Sequence, residues 1–173
     1  APRPSVLLMD EPFSGLDRRL RDEVRDDTLN VLRDSRVTGV IVTHDPEEAL
    51  RMADRVALMR EGRLVQVDTP EAIYRRPVSL FVARFFCELN EIAGTVRGGM
   101  AETPVGRFAA PGLSEGQAAI VGIRPQAIRL RQAGEGVPAR LQRRQFIGHV
   151  DLMEFAVEGL EQPLKGRILR DAI

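Results

Sequence analysis

Two adjacent carboxylates end the first apolar run of the chain. Val6-Leu7-Leu8-Met9 is followed directly by Asp10, Glu11 and Pro12. Such a run suits a buried parallel strand, and open α/β sheets place their ligands outside the carboxyl ends of their strands. Phosphoryl transfer needs an oxygen ligand for Mg²⁺ and a separate group that orients or deprotonates the attacking water. Asp10 fits the first role, and Glu11 fits the second.

A second apolar run carries a histidine just beyond its end. Val40-Ile41-Val42 precedes Thr43-His44-Asp45, and a helix is predicted between the two runs, from about Arg18 to Arg33. A right-handed crossover would lay the strands parallel, so that both ends open on one edge. Taken singly, the acids fit an acidic turn and His44 fits a structural hydrogen bond. Their combination favours a functional site.

Together with Ser14-Gly15-Leu16-Asp17, these residues resemble the Walker B motif, the D-loop and the H-loop of ATP-binding-cassette (ABC) transporter ATPases. The resemblance implies ATP and Mg²⁺ as cofactors, with Asp10 holding the Mg²⁺ and Glu11 acting as general base. It also implies that His44 contacts the γ-phosphate. Asp17 would reach the partner subunit across a nucleotide sandwich formed by two copies.

The chain lacks the phosphate-binding part of such a site. A P-loop requires Gly-Lys followed by Ser or Thr, whereas the only lysine here is Lys165, between Leu164 and Gly166. The Leu-Ser-Gly-Gly-Gln signature is also missing, and the opening residues 1–4 resemble those just before the Walker B strand of the family. We therefore expect a C-terminal fragment of a longer ATPase, inactive by itself.

Composition narrows the class of protein. Formal net charge is zero and 43% of residues are hydrophobic, which argues against nucleic acid as the main partner and allows real cores. The single cysteine, Cys87, fits a packing role in a reducing compartment. No apolar stretch reaches the roughly 20 residues of a membrane helix.

Glycine content predicts a domain boundary. Residues 1–87 contain three glycines and residues 88–173 contain twelve. The first segment is predicted to be α/β, as the distal part of a P-loop NTPase nucleotide-binding domain, and the second to be an all-β barrel of the OB type.

Several elements are predicted within the first segment. Leu16, Leu20, Val24, Thr28, Val31 and Leu32 would form the sheet-packing face of the first helix. Asp45 would cap a helix over 46–53, with Glu48 closing a capping box. A hairpin across Glu61-Gly62, a short helix starting at Thr69-Pro70 and a strongly apolar helix over 80–86 would follow.

In the second segment, strands are predicted over 91–96, 118–123, 127–130, 137–146, 151–157 and 164–168. Gly122-Ile123-Arg124-Pro125-Gln126 and Phe146-Ile147-Gly148-His149 resemble motifs of the TOBE domain, a regulatory barrel of importer ATPases. The family usually has Glu where this chain has Gln126. His149 is predicted to be structural, and Arg140, Arg143 and Arg144 to be charges that protect a strand edge.

The resemblance implies the ATPase subunit of a binding-protein-dependent ABC importer, peripheral to the cytoplasmic face of a bacterial inner membrane. Its expected partners are a second ATPase subunit, transmembrane permease subunits and, indirectly, a solute-binding protein. The stretches 84–90 and 103–108 look most like ferric-iron uptake ATPases, with polyamine importers as the alternative. The same residues leave three further interpretations open, namely a regulatory binding module, an exporter and a non-transport ABC ATPase.

Overall fold

The computed structural model describes residues 4–132 and 134–170. The chain forms two compact units, residues 1–86 and 87–173, which divide one residue before the predicted boundary. No helix in the described part of the chain combines the length and the apolarity needed to cross a membrane.

The first unit begins with the predicted strand, helix, strand arrangement. Strand β1 covers Val6–Asp10, helix α1 covers Arg18–Ser35, and strand β2 covers Thr38–Val42. The two strands pair in parallel, with Asp10 opposite Val42, so both carboxyl ends lie at the same edge of the sheet. Helix α2 follows at Pro46–Met52.

The predicted burial of this sheet is wrong. In β1, Leu7 is 39% exposed and Leu8 is 69% exposed, and on α1 Leu20 and Val31 are 43% and 65% exposed. A parallel sheet buries both faces only when helices cover both of them, and a two-stranded sheet beside one long helix leaves much apolar surface uncovered. The buried residue of α1 is Arg25.

The rest of the first unit follows the sequence pattern. Strands β3 (Val56–Arg60) and β4 (Arg63–Asp68) form an antiparallel hairpin. Its turn residues, Glu61 and Gly62, have φ of 51° and 75°, as the turns that match strand twist require. Helices α3 (Pro70–Arg75) and α4 (Leu80–Phe86) complete the unit, and the Thr69 side chain caps α3.

The core of the first unit lies between the hairpin and the short helices. Its members are Val56, Leu58, Ile73, Val82 and Phe86, with Ala49, Leu50 and other partly buried side chains packed against them. Ile73 and Val82 are both 0% exposed. The docking predicted for the apolar face of α4 is thereby confirmed.

The second unit contains two antiparallel sheets. The elements are β5 (Asn90–Arg97), β6 (Met100–Thr103), β7 (Gly106–Ala109), β8 (Ala118–Ile123), β9 (Ala139–Phe146), β10 (Val150–Val157) and β11 (Leu164–Leu169). The first sheet has the order β7-β6-β5-β8 and the second has the order β11-β10-β9. Strands β6 and β7 were not predicted, because their four-residue runs are too short for a clear alternating pattern.

A predicted strand over 127–130 is wrong. A 3₁₀ helix covers Pro125–Ala127, and its second residue is Gln126. The proline at the first position has a fixed φ that favours such a turn, and it overrides the apolar residues that follow.

Within the described residues the two sheets do not close into one hydrogen-bonded barrel. Asn90 connects them instead. Its side-chain amide donates to the carbonyls of Ile123 and Lys165, at 3.2 and 2.8 Å, and its Oδ1 accepts from the Lys165 amide at 2.7 Å. A buried amide with three satisfied hydrogen bonds fixes the relative placement of β8 and β11.

Candidate functional site

Glu11 and His44, separated by 33 positions in the chain, meet at the carboxyl edge of the first sheet. The His44 amide donates to Glu11 Oε1 at 3.0 Å, and His44 Nδ1 lies 2.6 Å from the same oxygen. Both contacts use Oε1. The second carboxylate oxygen, Oε2, has no hydrogen-bond partner among the residues that the structure describes. The histidine side chain is 82% exposed and that of the glutamate is 33% exposed, so the pair faces open space.

The backbone of Glu11 is held in an unusual conformation. Its φ is 46°, in the left-handed region that non-glycine residues seldom adopt. Its amide donates to the Val42 carbonyl at 2.8 Å, and its carbonyl accepts from both the amide and the hydroxyl of Ser14, at 3.1 and 2.8 Å. Outliers of this kind cluster at functional sites, where neighbouring contacts hold them.

The contact with Glu11 changes the acidity of His44. The hydrogen bond to the Glu11 carboxylate raises the pKa of His44, and the negative charges of Glu11, Asp45 and Glu48 act in the same direction. The contact therefore shifts the protonation equilibrium of His44 toward the imidazolium form.

Asp10 lies beside this pair, at the last position of β1. Its carboxylate makes no hydrogen bond or ion pair within the described ranges, and its side chain is exposed. A free carboxylate suits a hard cation such as Mg²⁺, which takes one or two protein oxygens and fills its other positions with water and phosphate oxygens. Over residues 4–132 and 134–170 no cluster of three or more potential ligands forms a complete metal site.

Asp17 has a structural role that was not predicted from the sequence. It is the N-cap of α1, and its Oδ1 accepts a hydrogen bond from the Leu20 amide at 3.1 Å. The aspartate is exposed and lies seven positions after Asp10. No described contact joins Asp17 to the Glu11–His44 pair.

The N-cap predicted at Asp45 is confirmed, but the capping box is wrong. Asp45 Oδ1 accepts from the amides of Glu47 and Glu48, at 2.8 and 3.4 Å. The Glu48 carboxylate does not return to the Asp45 amide, which donates to Thr43 Oγ1 instead. Glu48 binds the buried guanidinium of Arg25 at 2.7 Å, because a charge-assisted bond between buried ions outweighs a bond to a neutral amide.

The second unit brings no comparable group of side chains together in its described part. His149 is exposed, and its carbonyl accepts from the Arg170 amide at 3.1 Å, which agrees with a structural residue. All residues of β9 are exposed, as predicted for a charged edge strand. Arg144 does more than protect this edge, because it binds the buried carboxylate of Asp151 at 2.6 Å and thereby lowers the pKa of Asp151.

Cys87 is partly buried and accepts a hydrogen bond from Arg124 Nε at 3.2 Å. This contact lies within the second unit and connects the residue that follows α4 with the residue before the 3₁₀ helix. The packing role predicted for the cysteine therefore includes a polar contact.

No protein-family model matches the chain. A spermidine/putrescine import ATP-binding protein of Lawsonia intracellularis is 42% identical over 144 residues, covering 78% of this chain and 39% of that protein. An Fe(3+) ions import ATP-binding protein of Streptomyces avermitilis is 40% identical over 149 residues, 86% of this chain and 43% of that protein. A sulfate/thiosulfate import ATP-binding protein of Chromobacterium violaceum is 39% identical over 180 residues, 100% of this chain and 48% of that protein.

The homologues of the chain are thus ATP-binding subunits of importers, as the resemblance in the motifs implied. The chain spans less than half the length of each of these relatives. The names of these relatives refer to three different kinds of solute, so the comparisons do not single out iron.

Proposed function

We propose that this chain is part of the ATP-hydrolysing subunit of an ABC importer and that its Glu11–His44 pair is the water-activating side of the nucleotide site. The observation that carries the proposal is the one-sided anchoring of Glu11. Oε1 is held by the amide and ring of His44, while Oε2 has no described partner. A carboxylate fixed through one oxygen presents the other in a defined direction, as a general base requires.

Each residue then has a separate task. Glu11 Oε2 accepts the proton of the attacking water, and His44 orients Glu11 through Oε1. Asp10 would hold Mg²⁺, which would supply positive charge to neutralise the phosphate oxygens. The raised pKa of His44 favours a cation, whose charge suits a phosphate. Asp17 reaches the second subunit while its Oδ1 caps α1.

The proposal extends to the whole importer. Two copies of the complete subunit would bind ATP between them, drive transmembrane permease subunits from the cytoplasmic face of the membrane, and act on solute delivered by a binding protein. Residues 87–173 would serve as a TOBE-type regulatory domain. Ferric iron, polyamines and sulfate or thiosulfate occur among the names of the relatives, and this supports a small solute without selecting one of them.

A substitution at Glu11 tests the function. We expect Glu11→Gln in the complete subunit to preserve ATP binding and to lower Mg²⁺-dependent turnover at least about 100-fold, the usual contribution of a general base. Glutamine keeps an oxygen that accepts from the His44 amide, so the sheet edge should stay in place. Glu23→Gln is the matched control, because Glu23 is exposed and, among the described residues, its only ion pair is with Arg19 on the surface of α1.

Two results would contradict the proposal. Turnover of Glu11→Gln within about threefold of the parent, with folding unchanged by circular dichroism, would remove Glu11 as the base. Absence of ATP binding and turnover in the unsubstituted complete subunit would reject the ATPase assignment itself.

A further inference from the structure

A buried charge network holds the segment that carries His44. Arg25, on α1, is 4% exposed, and Glu48, on α2, is 5% exposed. The Arg25 guanidinium donates to Glu48 Oε1 at 2.7 Å and to Asp45 Oδ2 at 3.1 Å. It also lies 6.0 Å from the centre of the Phe13 ring, which is itself 1% exposed.

The network reaches both neighbours of His44. Glu48 Oε2 accepts from the Thr43 hydroxyl at 2.6 Å, and the same hydroxyl accepts from the Asp45 amide at 3.0 Å. Asp45 is held from the other side by Arg25. The residues before and after His44 are therefore both fixed to one buried ion pair.

Such an arrangement is costly unless it is complete. A buried ion loses its hydration, and this costs free energy. Its partners offset that cost only when the geometry of the ion pair is good and additional hydrogen bonds form. Here both oxygens of Glu48 have donors, and both terminal nitrogens of Arg25 have acceptors, the second being Asp22 at 3.3 Å. Arg25 Nε is the exception, because it is buried and has no hydrogen-bond partner among the described residues. The charge network next to the mostly exposed histidine is therefore satisfied at both Glu48 oxygens and at both terminal nitrogens of Arg25, but not at Nε.

We infer that Arg25 and Glu48 are positioning residues for the Glu11–His44 pair. They hold Thr43 and Asp45 so that the His44 amide and ring both meet Glu11 Oε1. Phe13 extends the same contact to the turn that follows Glu11. This inference rests on the proposed function where turnover is concerned, but the placement of His44 is measurable without it.

The geometric reason is the exposure of the pair. His44 is 82% exposed and has little packing of its own to select one position. Its placement therefore depends on its backbone, which the network fixes on both sides. A displacement of about 1 Å at a reacting group costs up to 100-fold in rate, so loosening the network should lower kcat more than it changes nucleotide affinity.

The experiment uses the complete subunit and two sets of substitutions. Arg25→Met removes the buried cation while keeping much of the side-chain length. Thr43→Val removes only the hydroxyl, and Thr43→Ser restores it, so this second pair remains informative if Arg25→Met does not fold. Arg51→Met is the control, because Arg51 of α2 also binds Asp22 of α1, and pairs with Glu47 on its own helix, but its side chain is 44% exposed. In the described part of the chain Arg51 makes no hydrogen bond or ion pair with residues 43–45.

We expect Arg25→Met and Thr43→Val to lower kcat at least about tenfold, with KM for ATP within about twofold. Thr43→Ser and Arg51→Met should stay within about twofold of the parent. Titration of ¹⁵N-histidine followed by NMR, with the His44 signal identified by its loss in His44→Gln, should show that the first two variants lose the raised pKa of His44. Glu11, Asp45 and Glu48 are the charged groups around His44 in this measurement.

The inference is overturned if folded Thr43→Val, or folded Arg25→Met, keeps both the parental kcat and the parental pKa of His44. If Thr43→Ser and Arg51→Met also fail to fold, together with Arg25→Met and Thr43→Val, the positioning role is rejected in favour of a purely structural network. If the parent subunit does not hydrolyse ATP but the pKa of His44 still falls in Arg25→Met, the proposed function fails while the positioning role stands.

Discussion

Asp17 has two separable roles, which a pair of substitutions distinguishes. Its Oδ1 caps α1 through the Leu20 amide, and the first turn of this 18-residue helix contains no acidic residue. Arg18 and Arg19 instead place positive charge near the positive end of the helix dipole. Asp17 is thus both the hydrogen-bond cap and the nearest negative charge.

The expected free energies follow from these two contributions. Removing an N-cap side chain costs about 1 kcal/mol, and removing a favourable charge from a helix terminus costs about 0.5 kcal/mol. Asp17→Ala loses both contributions and should lower the free energy of unfolding by about 1.5 kcal/mol. Asp17→Asn keeps the capping oxygen and should lose only about 0.5 kcal/mol.

Urea denaturation followed by circular dichroism at 222 nm measures these differences. With a slope of about 2 kcal/mol/M, Asp17→Ala should shift the midpoint by about 0.75 M and Asp17→Asn by about 0.25 M. Equal shifts for the two variants would refute the assignment of Asp17 as a hydrogen-bonding cap. In the complete subunit, a large loss of turnover in Asp17→Asn despite its small effect on stability would support the proposed contact with a second subunit.

Two further predictions concern pH and the core. Folding raises the pKa of His44 above its ordinary value of about 6.5, so the stabilising contact with Glu11 is fully present below about pH 6.5 and is lost as the pH rises through the folded-state pKa. The stability difference between the parent and His44→Gln should therefore shrink as the pH rises above about 6.5 in urea titrations, and a pH-independent difference would contradict the ion pair. Ile73→Ala should lower the free energy of unfolding by about 2 to 5 kcal/mol, because Ile73 is 0% exposed. Val78→Ala is the control: Val78 is 65% exposed, and its substitution should change the free energy of unfolding by less than about 0.5 kcal/mol. Similar effects at both sites would argue against the core described above.

Local sequence was sufficient for most elements of the first unit. The capping residues Asp45 and Thr69, the Glu61-Gly62 turn and the apolar spacing of α4 each act over a few residues, and each element formed as predicted. The juxtaposition of Glu11 and His44 was also predictable. A parallel pairing of two strands with similar length brings their carboxyl ends together.

Tertiary structure decided what depends on neighbours distant in the chain. Helical periodicity does not predict that Arg25 is buried, yet it is the buried residue of α1. The carboxylates of Asp45, the N-cap of α2, and Glu48, within α2, neutralise its charge there. The same ion pair diverted Glu48 from the predicted capping box. The predicted burial of the first sheet was wrong for a related reason. The exposure of Leu8 depends on which elements cover β1 and not on the hydrophobicity of Leu8 itself. Spacing along the chain thus determined which chemical groups this protein brings to one edge of the sheet. Only long-range packing decided how His44 is held there, because its exposed side chain has few contacts of its own.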